Sequence, residues 1–96
     1  MGVLKIVLTF WDERKREANL RTHELDFADV RDRFDWNTAR VVQSYPAPDG
    51  RARFAAIGRL DGRLVTLVFS PLGSEAISVI SLRVASRTER KSYAQE

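Results

Sequence analysis

The spacing of apolar residues changes along the chain, and each change marks an element. From Val3 to Phe10 the pattern alternates weakly and is rich in β-branched residues, which predicts a strand. Asp12 follows as a helix N-cap, with Glu13 in the first turn, where the helix dipole favours negative charge. That helix is expected to run to Leu20 or Arg21. Its apolar content is poor (Ala18 and Leu20, with Trp11 just ahead), so it should lie on the surface and be anchored at its ends. Thr22-His23-Glu24 breaks the helical pattern, and Asp26 restarts it as a second N-cap. Phe27, Val30, Arg31 and Phe34 then recur at helical spacing, giving one stripe to pack on a sheet. Asp35-Trp36-Asn37 is expected to end that helix.

From Ala39 the period becomes that of a strand, running to Tyr45. Pro46-Ala47-Pro48-Asp49-Gly50 is a loop by its turn residues. Residues 51–59 form the next expected strand, with Arg51, Arg53, Ile57 and Arg59 on one face and Phe54 and Ala56 on the other. Asp61-Gly62 matches a two-residue hairpin, after which residues 63–69 return as a buried strand. Pro71-Leu72-Gly73 should turn the chain into a last strand carrying Ile77, Val79, Ile80 and Leu82, with both faces covered. Ser86-x-x-Glu89 has the spacing of a capping box and opens a short basic helix. The order β-α-α-β-β-β-β-α predicts a single α+β domain over residues 1–96, an antiparallel meander packed by an N-terminal helical pair.

Charge adds an asymmetry. The formal net charge is +3. Residues 1–40 hold 8 Lys/Arg and 8 Asp/Glu, whereas residues 41–96 hold 8 Lys/Arg against 5 Asp/Glu. The excess is carried by Arg51, Arg53, Arg59, Arg63, Arg83, Arg87, Arg90 and Lys91. Cations gathered on a meander and at a strand-to-helix junction suit a polyanion, although a solvated surface has the same composition. There is no cysteine and a single histidine, so neither a disulfide framework nor a zinc site is expected. No Gly-rich phosphate loop and no membrane-length apolar run occurs, and a cytoplasmic location is expected.

The strings Phe10-Trp11-Asp12-Glu13, Lys15, Asn19-Leu20, His23 and Asp26-Phe27 open a wider pattern. Arg53-Phe54, Ala56-Ile57-Gly58 and Gly62-Arg63 continue it, and Val79-Ile80-Ser81, Arg83, Ala85, Glu89-Arg90 and Tyr93 close it. Their order and spacing over nearly the whole chain resemble the BrnT family, ribonuclease toxins of type II toxin–antitoxin systems. The resemblance implies a RelE-like fold and a metal-independent ribonuclease without cofactors that inhibits translation. It also implies an RNA substrate and a BrnA-type antitoxin that neutralises the toxin in a heterotetramer and represses the shared operon through operator DNA. Three features depart from the family pattern. Glu24 follows His23 where relatives commonly have glycine, Ser78 stands where they commonly have arginine, and the Pro46–Gly50 loop differs.

Metal-independent RNA cleavage uses the ribose 2′-hydroxyl as nucleophile, leaving the protein to stabilise phosphoryl charge and move two protons. Arginine suits the first task, because its planar fork pairs two oxygens and stays charged. Given the resemblance, Arg53 and Arg83 are expected as phosphate clamps, neighbours across the sheet. Proton transfer then falls to His23, Lys15, a carboxylate, Lys91 or Tyr93. His23, between two helices, equally suits tying loop backbone together, and Lys15 equally suits solvation. Arg51, Arg59, Arg87 and Arg90 can extend an RNA track, and Tyr93 can stack on a base or meet the antitoxin. Glu89 is explained as a capping partner. Trp11, Phe27, Phe34 and Phe54 read as core, and Trp36, in a polar turn, can meet a partner. The alternative functions are a non-catalytic nucleic-acid-binding module and an antitoxin-binding module acting in repression.

Overall fold

The computed structural model describes residues 7–95. Its elements run β1 (Leu8–Trp11), α1 (Glu13–His23), α2 (Phe27–Arg33), β2 (Phe34–Gln43), β3 (Phe54–Leu60), β4 (Arg63–Leu72), β5 (Ala76–Val84) and α3 (Arg87–Ala94). The expected α+β order is therefore observed. The part of the predicted first strand before Val7 lies outside the described residues.

The strands form one sheet in the order β1-β5-β4-β3-β2. β2 to β5 are the antiparallel meander, and β1 lies parallel to β5 at the far edge. A parallel neighbour needs a long crossover, which α1, α2 and the rest of the meander supply. On one face, Phe27 and Val30 from α2 bury against Ala56, Leu60, Val65, Leu67, Phe69, Val79 and Leu82. Fully burying an apolar side chain of this size contributes roughly 1.5–3 kcal/mol, so this layer holds the fold together. At one end of the opposite face, Tyr93 of α3 packs on Ile57, Leu64 and Ala85.

β5 does not alternate as its sequence suggests. Val68 pairs with Ser81 and Phe69 with Val79, leaving Ile80 as an extra, bulged residue. The bulge lets Ile77, Val79 and Leu82 all enter the core, while Ile80 stays half-buried beside α1. β2 also departs from expectation. Phe34 closes α2 but already belongs to the strand, and Asp35-Trp36-Asn37 is strand rather than turn. The ladder to β3 breaks between Asp35 and Arg40. Thr38 fills the break, its hydroxyl donating to Asp35 O at 2.8 Å and accepting from Arg59 N at 3.0 Å. Gly58 permits that geometry, because a Cβ there would lie 3.0 Å from Phe34 Cζ and 3.1 Å from Ala39 Cα. Trp36 packs edge-on against Phe34 and Phe69, with centroids 4.8 and 5.7 Å away, so its indole belongs to the core layer.

Three boundaries move. β3 starts at Phe54, so Arg51 and Arg53 precede it, although Ser44 N still donates to Arg53 O at 2.9 Å. β4 continues through Pro71 to Leu72, and the turn falls on Gly73-Ser74-Glu75. α1 runs on to His23 and is capped by Glu24 in the left-handed region, φ 58°. Asp61-Gly62 forms the expected hairpin, with φ of 51° and 82°. No helix among the described residues is long and apolar enough to cross a membrane.

Candidate functional site

β1, β3, β4 and β5 contain no Asp or Glu, so the sheet from β3 to the β1 edge carries arginine without carboxylate. Cross-strand register decides which residues share the face opposite α2. Ile57, Thr66 and Arg83 form one row, and Ala55, Val68 and Ser81 the next. Ser70, Ser78 and Phe10 form a third, and Leu72, Ala76 and Leu8 a fourth. Arg53 directly precedes Phe54, which pairs with Phe69, so it falls level with Ser70.

Arg53 meets α1 in a shallow groove of about 310 Å³. Lys15, Ala18, Asn19, Thr22 and His23 line the helical side, with Ile80 of the bulge beside them. Lys15, Ala18, Asn19 and Thr22 stand at i, i+3, i+4 and i+7, one stripe of the helix. That stripe turns toward the sheet although it is mostly polar. One residue explains how. Asn19 is buried, its amide donating to Leu82 O at 2.8 Å and Leu25 O at 3.0 Å, while its carbonyl accepts from Leu82 N at 3.1 Å. β1 ends level with Val79, and beyond that point the Asn19 side chain takes a neighbouring strand's place along β5. Arg16 fixes the other end of the helix pair, donating to Asp26 from Nε at 2.7 Å and from Nη2 at 2.9 Å. Those bonds hold the Asp26 carboxyl below its ordinary pKa, aided by the Ala28 N–H and opposed by burial.

Within the groove, Arg53 Nε is buried and no acceptor reaches it among the described residues. A buried donor without a partner costs roughly 1–3 kcal/mol, which sets this nitrogen apart from the other guanidinium groups. His23 is exposed at the last turn of α1, and Lys15 is exposed one turn into it.

Arg83 lies on the same sheet face but in a different setting. β4 separates it from Arg53, so the two are not neighbours across adjacent strands. Its guanidinium forks onto Glu89, Nη1 to Oε1 at 2.7 Å and Nη2 to Oε2 at 2.9 Å. Glu89 Oε1 also accepts from Thr66 Oγ1 at 2.9 Å and Ser86 N at 2.8 Å. Arg83 above all, then the Ser86 N–H and the Thr66 hydroxyl, hold the Glu89 carboxyl down at about 2 against the opposing effect of burial. Such a carboxylate is a poor proton acceptor at neutral pH. The capping box is present as expected, and it also engages Arg83.

The remaining predicted residues divide similarly. Tyr93 donates its hydroxyl to Thr38 O at 2.7 Å, and Arg59 Cζ sits 5.8 Å from its ring centroid, so both help dock α3. Arg90 Nε donates to Ala85 O, Arg87 is exposed in the first turn of α3, and Arg51 pairs with Asp49 in the loop. The structure thus brings Lys15, His23 and Arg53 together and leaves Arg51, Arg59, Arg83, Arg87, Arg90 and Tyr93 outside their groove. A larger cleft of about 1100 Å³ lies on the α2 side, among Val7, Phe34, Trp36, Phe69 and Ile77. Among the described residues it is lined by Asp35 and Glu75 and by no cation, which makes it the poorer place for an anion. Among the described residues no three of His, Cys, Asp or Glu are grouped to hold a metal ion.

Fold and groove together define a small α+β domain whose strands β1, β3, β4 and β5 carry no carboxylate, the Glu89 carboxylate of α3 being bound to Arg83. The family profile described as "Ribonuclease toxin, BrnT, of type II toxin-antitoxin system" matches residues 11–89. The chain is also similar to the Brucella abortus ribonuclease toxin BrnT, whose crystal structure was determined at 1.1 Å. Identity is 41%, the TM-score is 0.66, and the match covers 84% of this chain and 100% of that one. No curated protein sequence matches. The chain belongs to the BrnT family of ribonuclease toxins of type II toxin–antitoxin systems.

Proposed function

We propose that this toxin cleaves RNA without a metal ion and does so in the Lys15–His23–Arg53 groove. One observation carries the reading: a buried arginine donor with no partner among the described residues faces a lysine and the chain's single histidine across one groove. The ribose 2′-oxygen attacks phosphorus, the P–O bond to the 5′-leaving oxygen breaks, and a 2′,3′-cyclic phosphate forms. Arg53 pairs with a non-bridging oxygen as its charge grows, and Lys15 adds to the same field. His23 moves one proton at the rim, taking it from the 2′-hydroxyl or giving it to the leaving oxygen, and solvent water exchanges the other. Arg83 is neutralised by Glu89 at rest and clamps a phosphate only as that fork loosens. The cytoplasmic consequence is arrested translation, relieved by a BrnA-type antitoxin in a heterotetramer.

Purified protein should cut single-stranded RNA in EDTA, and induced expression without antitoxin should stop growth. Arg53→Ala should lower the cleavage rate by about 10²–10³-fold, the loss typical of removing one donor to a developing oxyanion. Full activity in an Arg53→Ala/Arg83→Ala double variant would overturn the site, and a strict requirement for added metal would overturn the mechanism. Engagement of Arg83 by Glu89 favours a second reading, a binder without catalysis. Salt-sensitive RNA binding with no cleavage products is its signature.

A further inference from the structure

Phe10 is an aromatic side chain outside both apolar clusters of the described residues. It is 54% exposed, in the edge strand β1, on the sheet face opposite α2 and beyond the end that α3 covers. Its neighbour Trp11 does the packing instead, joining the core layer with Arg31 Cζ 5.6 Å from its ring centroid. Leu8 (53% exposed) and Leu72 (41%) occupy the adjoining row with Ala76, so Phe10 belongs to an open apolar patch.

The register gives that patch a direction. Phe10 stands opposite Ser78, Ser78 opposite Ser70, and Arg53 level with Ser70. The row therefore runs from an exposed aromatic, past the half-buried Ser78 and the buried Ser70, to the arginine of the groove. Three inter-strand steps of roughly 4.8 Å separate its ends by about 14 Å, a distance that a short extended single strand bridges. The strands it crosses carry no carboxylate to repel a phosphate backbone.

We propose that Phe10, flanked by Leu8 and Leu72, is the platform on which a nucleobase next to the scissile linkage stacks. The inference rests on the ribonuclease reading above. It adds a specificity element that is sequence-tolerant, because every base offers a π-face, and restricted to single strands, because a paired base cannot present that face to the sheet. Charge complementarity selects RNA over a protein segment for this patch: the polar end of the row is cationic, and its middle is hydroxyl.

The test uses the full-length protein and a 2′-deoxy oligonucleotide, which lacks the nucleophile, so that binding is read without cleavage. Phe10→Ala should weaken binding by about 5–150-fold, the range for loss of one base–aromatic stack. Phe10→Trp should restore it. Because no phosphate contact is lost, the salt dependence of Phe10→Ala should keep the wild-type slope, whereas Arg53→Ala should flatten it. On an otherwise identical oligonucleotide lacking bases, wild type and Phe10→Ala should bind alike. Melting curves should stay within a few degrees of wild type, since the ring is exposed.

Equal binding by wild type and Phe10→Ala, with RNA cleavage intact in both, would overturn the platform alone. Failure of the wild type to bind or cut any RNA would overturn the ribonuclease reading with it. Loss of affinity for the cognate antitoxin with RNA binding unchanged would assign the patch to the antitoxin and also overturn the proposal.

Discussion

Glu89→Gln separates the two roles that the structure assigns to one carboxylate. Glutamine can still complete a capping box with Ser86, so the substitution removes charge while keeping the helix start. The Glu89 carboxyl is lowered from 4.5 to about 2 in the folded chain, chiefly by the Arg83 fork. At about 1.36 kcal/mol per pH unit, that difference sets a ceiling near ~3.4 kcal/mol. The Glu89 side chain keeps 21% of its exposure and Arg83 35%, so solvent screening reduces the expected contribution to about 1–2 kcal/mol. Because the folded-state pKa is the lower one, this stability is fully present above pH 4.5 and is lost as the pH falls toward 2. Urea titrations of wild type and Glu89→Gln should therefore differ by about 1–2 kcal/mol at pH 7 and by less than half of that at pH 3. The same substitution releases Arg83, so it should bind single-stranded RNA more tightly and with a steeper salt slope despite being less stable. A constant stability gap from pH 7 to pH 3, or no gap at all, would refute the ion-pair assignment. A gap of the expected form with unchanged RNA binding would show that Arg83 does not reach phosphate even when freed.

Other consequences follow from single positions. Glu24→Gly should raise stability by about 0.5–1 kcal/mol, because glycine relieves the left-handed φ of 58° while giving back part of the gain as unfolded-chain entropy; thermal melting should rise by roughly 2–6 °C. Asn19→Ala leaves the Leu82 N–H and the Leu82 and Leu25 carbonyls without their partner, and should cost about 2–4 kcal/mol in denaturant titrations. Ser78→Arg puts a cation in the middle of the row from Phe10 to Arg53, and should steepen the logarithmic salt dependence of RNA binding by about 0.7.

Much of the fold was legible because its signals are local. Asp12, Asp26 and Ser86 accept from the backbone N–H groups of Arg14, Ala28 and Glu89 at their helix starts, and Asp61-Gly62 makes the tight turn that its composition demands. The misplaced boundaries share a different cause. Phe34 sits at helical spacing from Val30 and Phe27, yet it serves as the first residue of a strand, since either period puts an aromatic over the same core. Pro71 looked like a turn, but β4 carries it beyond the Ser70–Ser78 pair, close to the end of the hairpin. The Ile80 bulge left no mark in composition, because the apolar residues of β5 satisfy an unbroken strand and a bulged one equally well. Only the pairing with β4 decides between them.

The site was legible as a set of residue types and not as a geometry, and Asn19 shows why. It stands in the motif string among residues that suit a solvated helix, and its polarity argues for exposure. Yet burying its amide against β5 turns the Lys15–Thr22 stripe inward, and the groove depends on that turn. A residue whose partners are backbone atoms 63 positions away cannot be read from local pattern. The same limit hid the difference between Arg53 and Arg83. Both are strand-associated arginines in a cation-rich half of the chain, but Glu89 was already committed to a capping box, and its second function as the counter-ion of Arg83 is visible only in three dimensions. With one guanidinium held by a carboxylate and the other without an acceptor at Nε among the described residues, the electrostatic potential of the face is not shared evenly between them. Arg53 has a buried donor with no acceptor among the described residues, whereas Arg83 must first loosen its hold on Glu89 before it can meet a phosphate. Substitutions at Arg53 should therefore act on the chemical step, while those at Arg83 act first on the seating of α3 and only then on RNA. Kinetic constants and melting curves measured on the same pair of variants separate the two effects, since Arg53→Ala should lower kcat at nearly constant Tm, and Arg83→Ala should lower Tm as well.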